Sequence, residues 1–141
     1  MRVHLRTSYA EKKPSIDILG DPVPKEMRIV VDEIAQGFNS GLIPELAFEG
    51  TSGTYFLRGM RKSHLAVFKP IDEEANAPNN PRGFVASFGT PSLRKGVLSG
   101  EACVREIAAY LIDKDGFSGV PETVLAAISH PSFHYGYWPL D

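Results

Sequence analysis

Cysteine is almost absent: Cys103 is the only one in 141 residues. A lone thiol excludes an internal disulfide framework and a cysteine-rich metal site, and it favours a cytoplasmic setting over a secreted one. Long apolar runs are missing as well. No stretch approaches the roughly 18 residues of a membrane span, and the opening M-R-V-H-L-R-T-S lacks the apolar core of a signal peptide. Charge of either sign is not in excess. Lys and Arg number 15 against 17 Asp and Glu, and the resulting net charge of −2 gives no reason to expect nucleic acid as a partner. Nothing repeats internally. The four histidines, His4, His64, His130 and His134, show no ligand spacing with acidic residues or Cys103. Pro131 interrupts the His130–His134 spacing as a helix interior, so structural or exposed roles are expected for all four.

What is present suits one globular domain. The hydrophobic share of 43% is ordinary, and 141 residues can bury one core but hardly two. Residues 1–22 are polar and weakly patterned and read as a tail or linker, with 23–141 as the domain. Pro24 suits the start of a helix. Met27, Val30, Val31, Ile34 and Phe38 then follow at helical spacing until Asn39-Ser40-Gly41 ends it. Short strand-like runs come next: Leu46-Ala47-Phe48, Thr54 to Leu57 and Leu65 to Phe68, the last two joined by the polar stretch Arg58–Ser63. Asp72 to Pro91 is dense in Pro, Asn and Gly and reads as loop. A second helix is predicted from about Gly100 to Asp113, with Val104, Ile107, Ala108 and Leu111 on one face. Val120 to Ala127 then returns as a strand. Hairpin-length connections leave no room for βαβ crossovers, so the fold class is α+β with an antiparallel sheet.

The chemistry centres on E-G-T-S-G-T-Y-F, Glu49 to Phe56, and on Lys69 in L-A-V-F-K-P. Glycines in a hairpin serve equally to turn the chain or to let backbone approach a ligand closely. No Lys-Ser or Lys-Thr follows Gly53, so the Walker pattern is absent. Lys69 bears on the choice. A lysine at the end of an apolar strand is either a solvated edge residue or one that meets an anionic partner. A glycine-rich turn between two strands, with a lysine on the third, is the arrangement of kinase-type ATP sites.

The wider sequence carries more. F-E-G-T-S-G-T-Y-F, A-V-F-K-P-I-D-E-E, A-P-N-N-P-R-G-F, G-E-A-C-V-R-E-I-A-A-Y-L-I-D and F-S-G-V-P-E-T-V occur in that order. Together they resemble the N-terminal lobe of type II phosphatidylinositol 4-kinases, most closely the plant-like gamma branch, over roughly Met27 to Tyr135. The resemblance implies the N-terminal lobe of a divergent protein-kinase-like fold, and transfer of the ATP γ-phosphoryl to the inositol 4-hydroxyl of a membrane lipid. Members of the gamma branch are also regarded as protein kinases, so protein substrates stand as a second expected acceptor.

Residue by residue, the resemblance assigns Gly50, Thr51, Ser52, Gly53, Thr54 and Tyr55 to the ATP-covering loop and Lys69 to the ATP phosphates. It places Glu73, Glu74, Ala75 and Asn76 in a segment facing the substrate, where a solvated acidic turn is the alternative. Glu106 becomes the partner of Lys69. Helical geometry keeps Glu101 open beside it: at about 100° per residue Glu106 projects roughly 150° from the centre of the expected apolar face and Glu101 about 70°. Arg82, Arg94 and Lys95, interleaved with Phe84 and Phe88, form a loop able either to seat on an anionic membrane or to pack on the lobe. The resemblance implies peripheral membrane association and phosphatidylinositol or a membrane surface as a partner. The lipidated cysteine cluster of animal members has no counterpart here.

Phosphoryl transfer also needs an aspartate at the acceptor hydroxyl and ligands for Mg²⁺. Downstream of the second helix only Asp113, Asp115 and Asp141 occur, none in a catalytic-loop or D-x-G context. No catalytic or metal-binding residue is assigned within this chain; both are expected in a C-terminal lobe. The chain reads as the ATP-gripping half of a kinase, inactive alone, with a non-catalytic binding module as the alternative.

Overall fold

The computed structural model describes residues 13–21 and 23–135. The elements run β1 (Ser15–Leu19), α1 (Lys25–Asn39), β2 (Glu45–Leu46), β3 (Tyr55–Arg58), β4 (His64–Phe68), α2 (Ala102–Ile112) and β5 (Leu125–Ser129). Two antiparallel sheets result, β2-β3-β4 and β1-β5. The fold is α+β, as the sequence predicts.

Helix α1 begins directly after Pro24, whose carbonyl accepts the Met27 and Arg28 N–H groups at 3.1 and 3.3 Å. It stops where Gly41 adopts φ +85° and the Leu42 N–H turns back to the Gly37 carbonyl at 2.9 Å. Its Val31, Ile34 and Phe38 join Tyr55, Leu57, Ala66 and Phe68 of the hairpin and Ile16, Ala126 and Ile128 of the smaller sheet in one core. A helix thus covers both sheets with a single apolar stripe. Gly37 permits close contact, because a Cβ there would lie 2.7 Å from the Arg58 carbonyl oxygen.

The hairpin alternates cleanly. Tyr55 and Leu57 pair with Phe68 and Ala66 and face inward, while Phe56, Arg58 and Val67 sit at the half-buried outer positions. On that outer side His64 stacks on Phe56 at 4.6 Å, and Glu45 pairs with Arg58. His130 is buried between Phe38 and Phe133, and burial lowers its pKa. His4 lies outside the described residues.

Four local expectations are corrected. Within the stretch read as a tail, Ser15–Leu19 is a strand, paired from Ser15↔Ser129 to Leu19↔Leu125; its long-range partner is invisible to a local reading. The Leu46-Ala47-Phe48 strand shrinks to Glu45–Leu46, and Phe48 projects outward at 94% exposure. The last strand lies later, at Leu125–Ser129. The largest difference is in α2. Val104, Ala108 and Leu111, expected to face the core with Ile107, are exposed, whereas Cys103, Glu106, Ile107 and Tyr110 turn inward.

Candidate functional site beneath the glycine-rich loop

Lys69 follows β4 by one residue, so strand alternation turns it away from the side where Phe68 enters the core. There its Nζ donates to Oε1 of Glu106 at 2.6 Å, with 30% and 20% of the two side chains exposed. Glu101 is used elsewhere. Its carboxylate accepts the Leu98 N–H at 3.1 Å and pairs with Arg105 one turn on, interactions that hold its pKa low. The angular argument that kept Glu101 open rested on the wrong inner face of α2.

The segment 50–54 arches beside this pair. Gly50 adopts φ +110°, a conformation L side chains rarely occupy. Gly53 is needed for a different reason: a Cβ would lie within 2.7 Å of Glu73 Cβ and nearer still to its carboxyl. Together the loop, Lys69, Pro70, Glu74, Ala102 and Glu106 enclose a cleft of about 230 Å³. A cleft of about 470 Å³ lies along β1 and the first half of α1, but Asp17, Asp21 and Asp32 line it with a single arginine, Arg28. Charge disfavours an anionic ligand there, whereas the loop cleft offers the Lys69 cation beside Glu74 and Glu106.

The loop is tied down from behind. The Gly53 N–H donates to the Glu73 carbonyl at 2.8 Å, so this group is turned away from the cleft. Ser52 Oγ accepts the Ala75 N–H at 3.1 Å. Asn80, 2% exposed, spreads the hydrogens of its Nδ2 over the carbonyls of Thr51, Glu73 and Glu74 at 2.8, 3.2 and 3.0 Å. Its Oδ1 accepts the Arg82 and Phe84 N–H groups. Asn80 has no role assigned from the sequence, although it stands in A-P-N-N-P-R-G-F; its burial depends on partners as distant as Thr51 and leaves no local signal.

Glu73 and Glu74 form no solvated turn. Glu73 is 1% exposed; its Oε2 accepts the Tyr55 hydroxyl at 2.8 Å and its Oε1 the His134 N–H at 3.0 Å. Burial pushes its pKa up to about 8, against the downward pull of those hydrogen bonds and with further help from Asp72. Burial and the adjoining Glu73 carboxyl raise the Tyr55 hydroxyl too. Glu74, 5% exposed, receives the N–H groups of Gly100, Ala102 and Cys103 at 2.8, 3.3 and 3.1 Å. Its pKa is raised by burial, which outweighs those three donors. Asn76, at φ +62°, donates to the Pro91 carbonyl at 2.8 Å.

The expected membrane-facing residues divide. Arg82 is engaged with the Ala47 and Phe48 carbonyls. Phe84 and Phe88, at 38% and 45% exposure, and the exposed Arg94 and Lys95 lie on the surface, with Phe88 resting on Gly100. Among the described residues no three His, Cys, Asp or Glu side chains converge as metal ligands, and no helix is long and apolar enough to cross a membrane.

An antiparallel sheet in which a glycine-rich loop lies beside a lysine–glutamate pair, with that lysine just past the end of a strand, defines the general class: an α+β fold with an ion pair lining a loop-covered cleft. Comparison with known proteins narrows the class: the chain is a homologue of the phosphatidylinositol 4-kinase gamma proteins. It is 40% identical over 136 residues to phosphatidylinositol 4-kinase gamma 5 of Arabidopsis thaliana, covering 95% of this chain and 21% of that protein. The gamma 8 protein of the same plant is 42% identical over 122 residues, covering 86% and 23%. The gamma 4 protein of Oryza sativa subsp. japonica is 40% identical over 118 residues, covering 76% and 21%. The chain thus spans about a fifth of the length of the curated relatives it matches. No family model and no solved structure matches.

Proposed function

We propose that this chain is the phosphate-gripping half of an ATP site in a phosphatidylinositol 4-kinase, with the architecture of a kinase N-terminal lobe. In the complete enzyme the γ-phosphoryl passes from ATP to the inositol 4-hydroxyl. The Lys69–Glu106 pair beneath residues 50–54 carries this reading. An ammonium held at one position by a carboxylate, at the edge of a cleft roofed by a glycine loop, suits phosphate oxygens. The cleft of about 230 Å³ is smaller than the roughly 300–1,000 Å³ of whole-ligand pockets. It fits the polyphosphate better than the entire nucleotide.

In this assignment Gly50, Thr51, Ser52, Gly53, Thr54 and Tyr55 form the loop over the phosphates. Lys69 binds phosphate oxygens and Glu106 fixes its position. Mg²⁺, when bound with ATP, neutralises charge developing on the phosphoryl group; none of its ligands and no catalytic aspartate is assigned to this chain. The acceptor follows the name the relatives carry. Phe84, Phe88, Arg94 and Lys95 face the lipid surface, the two cations drawn to anionic headgroups and the rings seated among them.

The test is a lipid-kinase assay of the longer protein containing this chain, run on phosphatidylinositol vesicles and on a protein substrate. Lipid phosphorylation that disappears in Lys69→Ala supports the assignment. Phosphorylation of protein alone replaces the acceptor, and full activity of Lys69→Ala on either substrate removes the ATP site from this cleft.

A further inference from the structure

Helix α2 carries Glu106 yet has no cap of its own. Glu101 stands at its N-cap position, but the Glu101 side chain serves the Leu98 N–H and Arg105 instead. N–H groups at a helix start cost free energy if buried without acceptors; those of Ala102 and Cys103 in the first turn, and of Gly100 just before the N-cap, are received by the carboxylate of Glu74, 26 to 29 residues upstream.

We propose that Glu74 is a positioning residue, which sets the place of α2 and thereby the meeting of Glu106 with Lys69. Its neighbours extend the role. Glu73 holds the Gly53 N–H through its carbonyl, Glu74 holds α2, and Ala75 donates to Ser52. Three consecutive residues thus grip loop, helix and loop in turn, and Asn80 braces them by bonding the Thr51 and Glu74 carbonyls. The glycine-rich loop and the Glu106 helix are fastened to one bracket. Glu106 lies three residues beyond Cys103, so it moves with the turn that Glu74 holds. Because a carboxylate fills that helix N-terminus, the positive end of α2 serves the fold rather than a phosphate.

The consequence for catalysis rests on the nucleotide reading, whereas the first measurement does not. In the 141-residue chain, the rate at which an amine-reactive reagent labels Lys69 is followed by mass spectrometry, with Lys62 and Lys114 as internal standards. Glu106→Gln defines the rate of a released Lys69. Glu74→Gln is expected to approach it, on the order of threefold above wild type, while circular dichroism remains native. If Glu74→Gln does not fold, Glu74→Asp, which keeps the charge on a shorter arm, is expected at an intermediate rate. Ile128→Val, which weakens the core away from the loop, the bracket and α2, leaves the rate unchanged. A folded Glu74→Gln or Glu74→Asp protein with the wild-type rate overturns the proposal, as does acceleration by Ile128→Val equal to that of Glu74→Gln. In the longer protein, ATP shields wild-type Lys69 from labelling. If ATP gives no shielding while Glu74→Gln still accelerates labelling, the nucleotide reading fails and the positioning role stands.

Discussion

Lys69 Nζ lies 2.6 Å from Glu106 Oε1, joining the end of β4 to the middle of α2 across 37 residues of chain. A pair this exposed contributes modestly to stability, roughly 0–1 kcal/mol, so its value lies in placing a charge. On the proposed ATP site, Lys69→Met in a kinase containing this chain is expected to lower kcat/KM by about a hundredfold or more, because it would remove a fixed cation from the phosphates. Glu106→Gln keeps the cation and loosens it, costing on the order of tenfold to a hundredfold. Steady-state kinetics of both variants check the order. An Glu106→Gln loss exceeding that of Lys69→Met would show Glu106 acting on something other than Lys69.

The buried Glu73 makes stability depend on pH. Its carboxyl titrates at about 8 in the folded chain against an ordinary value of 4.5. Below 4.5 the folded and unfolded chains both hold the proton. Between the two values only the folded chain holds it, so its stabilising contribution is lost as pH rises, at a slope approaching ~1.4 kcal/mol per unit. Glu73→Gln retains an amide in the same space and removes this slope. Urea midpoints at about pH 5.5 and pH 7.5 measure the difference. A wild-type midpoint as flat as that of the variant across this window would place the Glu73 titration below it.

Gly50 and Gly53 fail differently when replaced. Gly50→Ala meets nothing within 4 Å and carries only the strain of φ +110°, about 1–2 kcal/mol. Gly53→Ala drives a methyl into the Glu73 side chain, which is pinned by Tyr55 and His134, and is expected to cost about 1–3 kcal/mol. The double variant Gly53→Ala with Glu73→Ala recovers part of that loss through the space it vacates. Additivity in the double-mutant cycle would contradict the clash.

On α2, Leu111→Gln and Val104→Thr are expected to change stability by no more than about 0.5 kcal/mol, as at other exposed positions. Cys103→Asp places a charge at a site 3% exposed, beside Glu74, and is expected to prevent folding or cost several kcal/mol. Thermal unfolding of the three variants decides which face of the helix is inner.

That helix shows where the sequence was legible. The α1 stripe and the β3–β4 alternation are local periodicities backed by one core, and both were readable. The apolar stripe of α2 gave the opposite impression, because the inward face is built on Cys103 and Glu106, with Glu74 and Lys69 supplying polar partners from distant positions. Hydrophobic periodicity does not register a helix held by ionic and capping contacts. The resemblance named Glu106 where geometry from the apolar face kept Glu101 open. Burial of Glu73, Glu74 and Asn80 was hidden for the same reason. Polar side chains go inside only with partners, and these partners come from the loop, from α2 and from residues near His134.

The basic residues of the surface loop separate into two roles that one pair of measurements resolves. Arg82 bonds the Ala47 and Phe48 carbonyls just before the glycine-rich loop, so Arg82→Ala is expected to lower stability by about 1–3 kcal/mol. Arg94 and Lys95 are exposed, and the double change to Ala should leave the urea midpoint in place. Flotation with phosphatidylserine-containing vesicles tests the proposed membrane-facing role. The double variant is expected to lose affinity by about 1 kcal/mol per cation removed, and raised salt should weaken wild-type binding in the same direction. Replacing Phe84 and Phe88 by Ser lowers binding without changing its salt dependence, because the rings contribute through apolar contact. Vesicle binding that ignores all four residues would leave this face to packing alone.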